Sequence, residues 1–171
     1  KPPPPSLPQT TLTGKELETM ARGVNALKAW TSSSEATIFY DSTVDEFTPN
    51  GLFNTVKGKP NIAVIGFTTD GDVFGGFYSV PVTRQRKFFF DKTIFAFSFE
   101  SHGRCMTPQR FVTRKMYGTV GVYFMKRSRR NFILFTSGKN NVFWLGNEQS
   151  NSFCHRLSYG FEGIEDTTLT G

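Results

Sequence analysis

The segment Ile94-Phe95-Ala96-Phe97-Ser98-Phe99 constrains the fold of this chain more than any other. Phenylalanine alternates with alanine and serine, so an extended backbone puts three rings on one face and two small side chains on the other. A wall of rings needs cover from water, and the small face can lie under another element. The segment therefore belongs to a sheet inside a layered domain.

The rest of the chain agrees with that reading. It holds 19 phenylalanines in 171 residues and only 20% charged residues, a composition that excludes intrinsic disorder. A domain of this length buries roughly two-thirds of its unfolded surface and needs neither disulfide nor metal to fold. Apolar runs such as Ile62 to Phe67 fall far short of the roughly 18 residues a membrane-spanning helix requires. Two cysteines give no disulfide framework and suit a reducing compartment, so an intracellular, cytoplasmic module is expected. The start, Lys-Pro-Pro-Pro-Pro, lacks the apolar core and cleavage site of a signal peptide, and the missing initiator methionine suggests a domain excised from a longer protein.

Residues 1–12 read as a proline-rich linker that samples extended polyproline II, and 13–171 as a single domain. Thr13-Gly14-Lys15-Glu16 has capping-box spacing, and Leu17, Met20, Ala21, Val24 and Leu27 follow as one helical stripe that ends near Trp30. Thr37-Ile38-Phe39-Tyr40 is β-branched and aromatic and reads as a short strand. Thr48, Pro49 and Gly58 bracket a second helix with Leu52, Phe53 and Val56 on its inner face. From residue 61 the period becomes that of strands. Residues 62–67 and 73–78 form a hairpin about Thr69-Asp70-Gly71, and further strands lie at 95–99, 121–125, 132–135 and 142–145. Gly75-Gly76 inside a strand is unusual and implies room made for rings from an adjacent layer. Helices first and about six antiparallel strands afterwards define an α+β domain.

Several of these pieces together resemble the TLDc domain family. Trp30 precedes Ile38-Phe39-Tyr40-Asp41-Ser42; Gly58-Lys59 leads into a hydrophobic strand; and the Asp70-Gly71 turn is followed by Val73-Phe74-Gly75-Gly76-Phe77. The Phe-rich strand 94–99, Ser152-Phe153-Cys154 and the closing Leu169-Thr170-Gly171 also fit. The pattern is divergent and resembles most the TLDc-like proteins of amoeboid protists. The resemblance implies a two-layer antiparallel β-sandwich flanked by helices, with no agreed catalytic site and no cofactor. It further implies a role in oxidative-stress resistance and, for some members, association with the vacuolar proton-pumping ATPase. The family pattern continues past Gly171 into a final strand, so a sheet edge is expected to be left open.

Chemistry-bearing residues are sparse. His102, Cys105, Cys154 and His155 are the right inventory for zinc, but adjacent Cys and His do not easily face one ion, and His102 and Cys105 flank Arg104. Cys105 and Cys154 lie beside Arg104 and near Arg156, which favours the thiolate and makes them candidate redox thiols; small buried cysteines are the simpler reading. The clusters Asp41, Asp45, Glu46 and Glu162, Glu165, Asp166 lack the spacing of a calcium loop and read as solvated loops. No nucleotide-binding loop, nucleophile elbow or metalloprotease motif occurs.

Charge carries more information. Of 20 basic and 14 acidic residues, residues 81–130 hold twelve Lys/Arg against only Asp91 and Glu100, while the remainder holds eight basic and twelve acidic residues. Lys126, Arg127, Arg129 and Arg130 form a dense basic loop between two strands, with Arg84, Arg86 and Lys87 beside Phe88-Phe89-Phe90 as a second group. We expect a non-catalytic protein-interaction module that uses these seven cations. The alternative is a nucleic-acid-binding protein in which rings and cations share the strand, although no RNA- or DNA-binding signature is present. Anionic lipid is a weaker third partner, since no amphipathic basic helix supports it.

Overall fold

The computed structural model describes residues 12–101, 105–114, 120–127, 131–137, 140–146, 153–154, 157–165 and 167–169. Its elements are α1 (Gly14–Thr31), α2 (Pro49–Val56), β1 (Ile62–Phe67), β2 (Val73–Tyr78), β3 (Phe88–Phe90), β4 (Phe95–Glu100), β5 (Gln109–Val112), β6 (Val120–Phe124), β7 (Asn131–Ser137), β8 (Asn140–Gly146), β9 (Phe153–Cys154) and α3 (Leu157–Gly160). The strands pair antiparallel in two sheets, a four-stranded one ordered β1-β2-β4-β5 and a five-stranded one ordered β3-β6-β7-β8-β9. The α+β sandwich expected from the sequence is what the chain forms.

Two separate apolar cores hold it together. The larger lies between the sheets, where Phe74, Tyr78, Ala96 and Phe111 of the four-stranded sheet meet Val122, Phe124, Ile133, Phe135 and Phe143 of the other. The smaller lies on the opposite side of the four-stranded sheet, where Phe77, Phe95, Phe97 and Phe99 pack under Leu27, Met20 and Trp30 of α1. The alternation in β4 thus separates two environments. Its rings face the helix, with Phe97 and Phe99 stacked at 4.8 Å and Trp30 edge-on to Phe95 at 5.9 Å. Its small residues face the second sheet.

Strand β2 lies between β1 and β4 and has no side chain at Gly75 and Gly76. A β-carbon at Gly76 would stand 2.7 Å from Cζ of both Phe135 and Phe143, so the glycine admits rings from the second sheet, as expected. At Gly75 the obstacle is different: Val64 O and the Phe97 ring crowd the position from within the same sheet. The hairpin before β2 turns where Asp-Gly predicted, with Gly71 at φ +89°.

Helix α1 departs from its expected face. Glu16 reaches back as the capping box requires, its Oε2 accepting from Thr13 N at 2.7 Å and from the Thr13 hydroxyl at 2.9 Å. The buried line, however, is Thr19, Gly23 and Leu27, while Leu17 and Ala21 point to solvent. The reason is steric and electrostatic. Gly23 lets the Phe99 ring come against the helix backbone. Thr19 Oγ1 donates to Glu100 Oε2 at 2.9 Å, and Lys15 Nζ lies 3.1 Å from Glu100 Oε1. Hydrogen bonds from Lys15 and Thr19, aided by the charges of Lys15 and Arg22, hold the Glu100 carboxyl below the usual range.

Residues 37–40 are not a strand. They join no ladder; residues 37–39 are exposed, Tyr40 packs half-buried against the inter-sheet core, and its hydroxyl donates to Glu46 O at 3.1 Å. Burial, with Asp45, Glu46 and Asp41 nearby, pushes the Tyr40 phenol up to about 12. Helix α2 follows its signals: Thr48 Oγ1 accepts from Gly51 N at 3.0 Å and Pro49 opens the helix. Strands β3, β5 and β9 were not foreseen; they are short, and their pairing partners, not their own periodicity, define them. The outer edge of β5 is covered in part, since Glu162 N donates to Val112 O at 2.8 Å.

Candidate functional site

Of the seven predicted contact cations, Arg84, Arg86, Lys87, Lys126 and Arg127 lie among the described residues, and three of these line one cleft. The residues that meet do so through the pairing of β3 with β6, which sets Phe88 opposite Tyr123 and Phe90 opposite Gly121. Strand β3 is pinned at both ends. Arg86 N donates to Phe124 O at 2.9 Å, and Asp91 N donates to Val120 O at 3.2 Å.

The turn before β3 is held tightly. Gln85 Nε2 donates to Met125 O and to Asn50 Oδ1, each at 2.9 Å. Arg86 takes φ +60°, a left-handed conformation uncommon outside glycine. That backbone turn brings Arg86 beside Lys126 and Arg127, which follow β6, around a cleft of about 320 Å³. Tyr123 and Met125 supply its apolar lining. Alongside it lie Phe88 and Phe90, exposed by 45% and 53%, with the Phe88 ring 4.7 Å from that of Tyr123.

Asp91 fixes the other end. It is nearly buried, and its Oδ2 accepts from Ser79 N at 2.6 Å, the Ser79 hydroxyl at 3.0 Å and Val80 N at 3.2 Å. Its Oδ1 accepts from Thr93 N at 2.8 Å and the Thr93 hydroxyl at 2.7 Å. Burial alone would raise this carboxyl, but the donors from Thr93 and Ser79 outweigh it and hold the group below the usual range. The carboxylate therefore stabilises the strand ends and is not free for proton transfer.

Two further cations stay out of the cleft. Lys87 does not line it, its Nζ lying 5.4 Å from the centre of the Phe89 ring, which packs on the inter-sheet core. Arg84 is exposed and does not line the cleft. Arg129 and Arg130 lie outside the described residues. The cleft thus gathers Arg86, Lys126 and Arg127 of the expected set, together with Tyr123 and Met125, which sequence reading had not singled out. The β3–β6 pairing, at a separation of some 35 residues, and the bonds of Gln85 and Arg86 to Met125 and Phe124 join the two groups.

Of the two candidate thiols, Cys105 is 2% exposed in the inter-sheet core, with Sγ 3.8 Å from Gln109 Oε1. Cys154 lies in β9, and its side chain is outside the described residues, as are His102 and His155. Among the described residues no three His, Cys, Asp or Glu side chains gather as a metal site. Asp41 and Asp45 are spent on their own loop: Asp41 Oδ1 accepts from Thr43 N at 2.9 Å and Asp45 Oδ2 from Asp41 N at 2.6 Å. A second hollow, about 400 Å³, opens beside Trp30, Phe95 and Arg110. Its Arg110 is engaged in closing α1, donating from Nη1 to Trp30 O at 3.3 Å, so the hollow reads as part of the helix seat.

An antiparallel sandwich of this order, with helices before the strands and a glycine pair in its second strand, defines an α+β module. The TLDc domain matches the chain over residues 8–167, and the chain belongs to that family. Among curated proteins no relative matches it. No helix among the described residues is long and apolar enough to cross a membrane.

Proposed function

We propose that this TLDc domain is a non-catalytic protein-interaction module whose contact surface is the basic and aromatic face at β3 and β6. The observation that carries the reading is the cleft of Arg86, Lys126 and Arg127 around Tyr123 and Met125, flanked by the exposed rings of Phe88 and Phe90. Exposed rings beside cations are the composition of a protein contact surface, where aromatic side chains and arginine supply most of the binding energy. TLDc domains are generally non-catalytic. Family membership suggests the vacuolar proton-pumping ATPase as the partner and oxidative-stress resistance as the setting.

The test is binding of the purified domain to purified, detergent-solubilised proton-pumping ATPase near 0.15 M salt, after nuclease treatment. The wild-type domain is expected to be retained, and the Arg86→Glu, Lys126→Glu, Arg127→Glu variant to be lost. Equal retention of the variant would remove this face from the interaction. The same rings and cations favour a second reading, single-stranded nucleic acid stacked on Phe88 and Phe90. That reading predicts oligonucleotide binding that weakens steeply with salt and vanishes with the same charge reversals.

A further inference from the structure

The chain also carries the chemical complement of its basic face. Residues 35–47 hold Glu35, Asp41, Asp45 and Glu46 and no lysine or arginine. The same segment exposes Ile38, Phe39 and Val44. Lys59 Nζ stands 4.7 Å over the Phe39 ring, while Ile38 and Val44 stay more than half exposed, so the loop keeps apolar surface that a contact could cover.

The two patches are neighbours on one molecule. The Phe47 ring packs on Phe132 at 4.9 Å. Phe132 O accepts from Met125 N at 3.0 Å, and Met125 lines the basic cleft. Asn50, at the start of α2, accepts from Gln85 in the turn that presents Arg86. Yet among the described residues the only ion pairs are those of Glu100 with Lys15 and Arg22; none joins the loop to the cleft.

We propose that the domain self-associates, the acidic loop 35–47 of each copy docking on the Arg86, Lys126, Arg127 face of a second copy. Adjacent patches of opposite sign form a surface that is self-complementary under a two-fold rotation, so both contacts form at once and the assembly closes as a dimer. The apolar side chains meet likewise, Phe39 and Val44 of the loop against Phe88, Phe90 and Tyr123. The proposal uses the same face as the partner reading, and dimerisation would cover that face until a partner competes for it.

The experiment is sedimentation of the nuclease-treated full chain over a range of concentrations, at low and at high salt. A concentration-dependent dimer that weakens with salt is expected. Lys126→Glu with Arg127→Glu, or Glu35→Lys with Ala36→Lys and Glu46→Lys, which turns the loop net positive, should each weaken it about tenfold or more. The decisive arm mixes the two variants. One then has an acidic face with an acidic loop, the other a basic face with a basic loop, and the mixture should form a heterodimer although neither variant dimerises alone. Recovery in the mixture also shows that both variants are folded. A wild-type chain that stays monomeric throughout, or a mixture that fails to pair, overturns the proposal. Neither result touches the partner reading, which is scored on binding of the ATPase.

Discussion

At Gly76 a single hydrogen atom is all that the space between the sheets allows. The rings of Phe135 and Phe143, stacked on each other at 4.5 Å, close over that position. Valine there would drive two buried rings out of their packing. Gly76→Val is therefore expected to cost about 3 kcal/mol or more, or to leave the domain insoluble, because overpacking a dense core forces backbone shifts. Urea unfolding of the variant checks this, and unchanged stability would refute the packing. The glycine pair was legible in the sequence as an anomaly, and its purpose as room for rings. That the two glycines serve opposite faces was not, since it depends on which layer each side of β2 meets.

Among the elements, α1 shows where pattern reading stops. The apolar spacing of Leu17, Met20, Ala21, Val24 and Leu27 marks a helix correctly, but the face that docks is chosen by what lies below it. Phe99 requires a glycine, and Glu100 attracts Thr19 and Lys15. Leu27→Ala should accordingly cost roughly 2–4 kcal/mol, while Leu17→Ala should be close to neutral. Leu27 is 8% exposed and Leu17 46%. Thermal melts of the two variants side by side decide it; equal losses would restore the stripe read from the sequence. The α2 caps and the Asp70-Gly71 hairpin were legible because local chemistry determines them. Residues 37–40 were misread for the converse reason: strand-forming residues make a strand only where a neighbour offers a ladder. The candidate site was half legible. Charge clustering found Arg86, Lys126 and Arg127, but only the turn at Arg86 and its docking on β6 separate them from Lys87 and Arg84 and add Tyr123 and Met125.

Across the whole molecule two carboxylates tie the layers to one another. Asp91 joins Ser79, just after β2 in one sheet, to the end of β3 in the other, and Glu100 clamps α1 to β4. Both groups are held below their ordinary values in the folded state. Their contribution to stability is therefore fully present above the unfolded-state values, about pH 4, and is lost as pH falls through the lower folded values. Urea midpoints should hold from pH 7 to about 5 and then drop steeply towards pH 3. Asp91→Asn with Glu100→Gln should lower the midpoint at neutral pH and flatten that drop; an acid dependence as steep as the wild type's would show that other groups cause it.

The sharing of one sheet by two cores also orders events in time. All four strands of that sheet have been made once the ribosome passes Val112, yet the rings that fill the slot over Gly76 arrive with Phe135 and Phe143. At about 5–20 residues per second, the interval is on the order of two to six seconds. Throughout it, helix α1 can already shelter one side of the nascent sheet while the other stays wet and adhesive. A newborn domain is thus most vulnerable in this interval, when half of a sandwich has formed and waits for its lid.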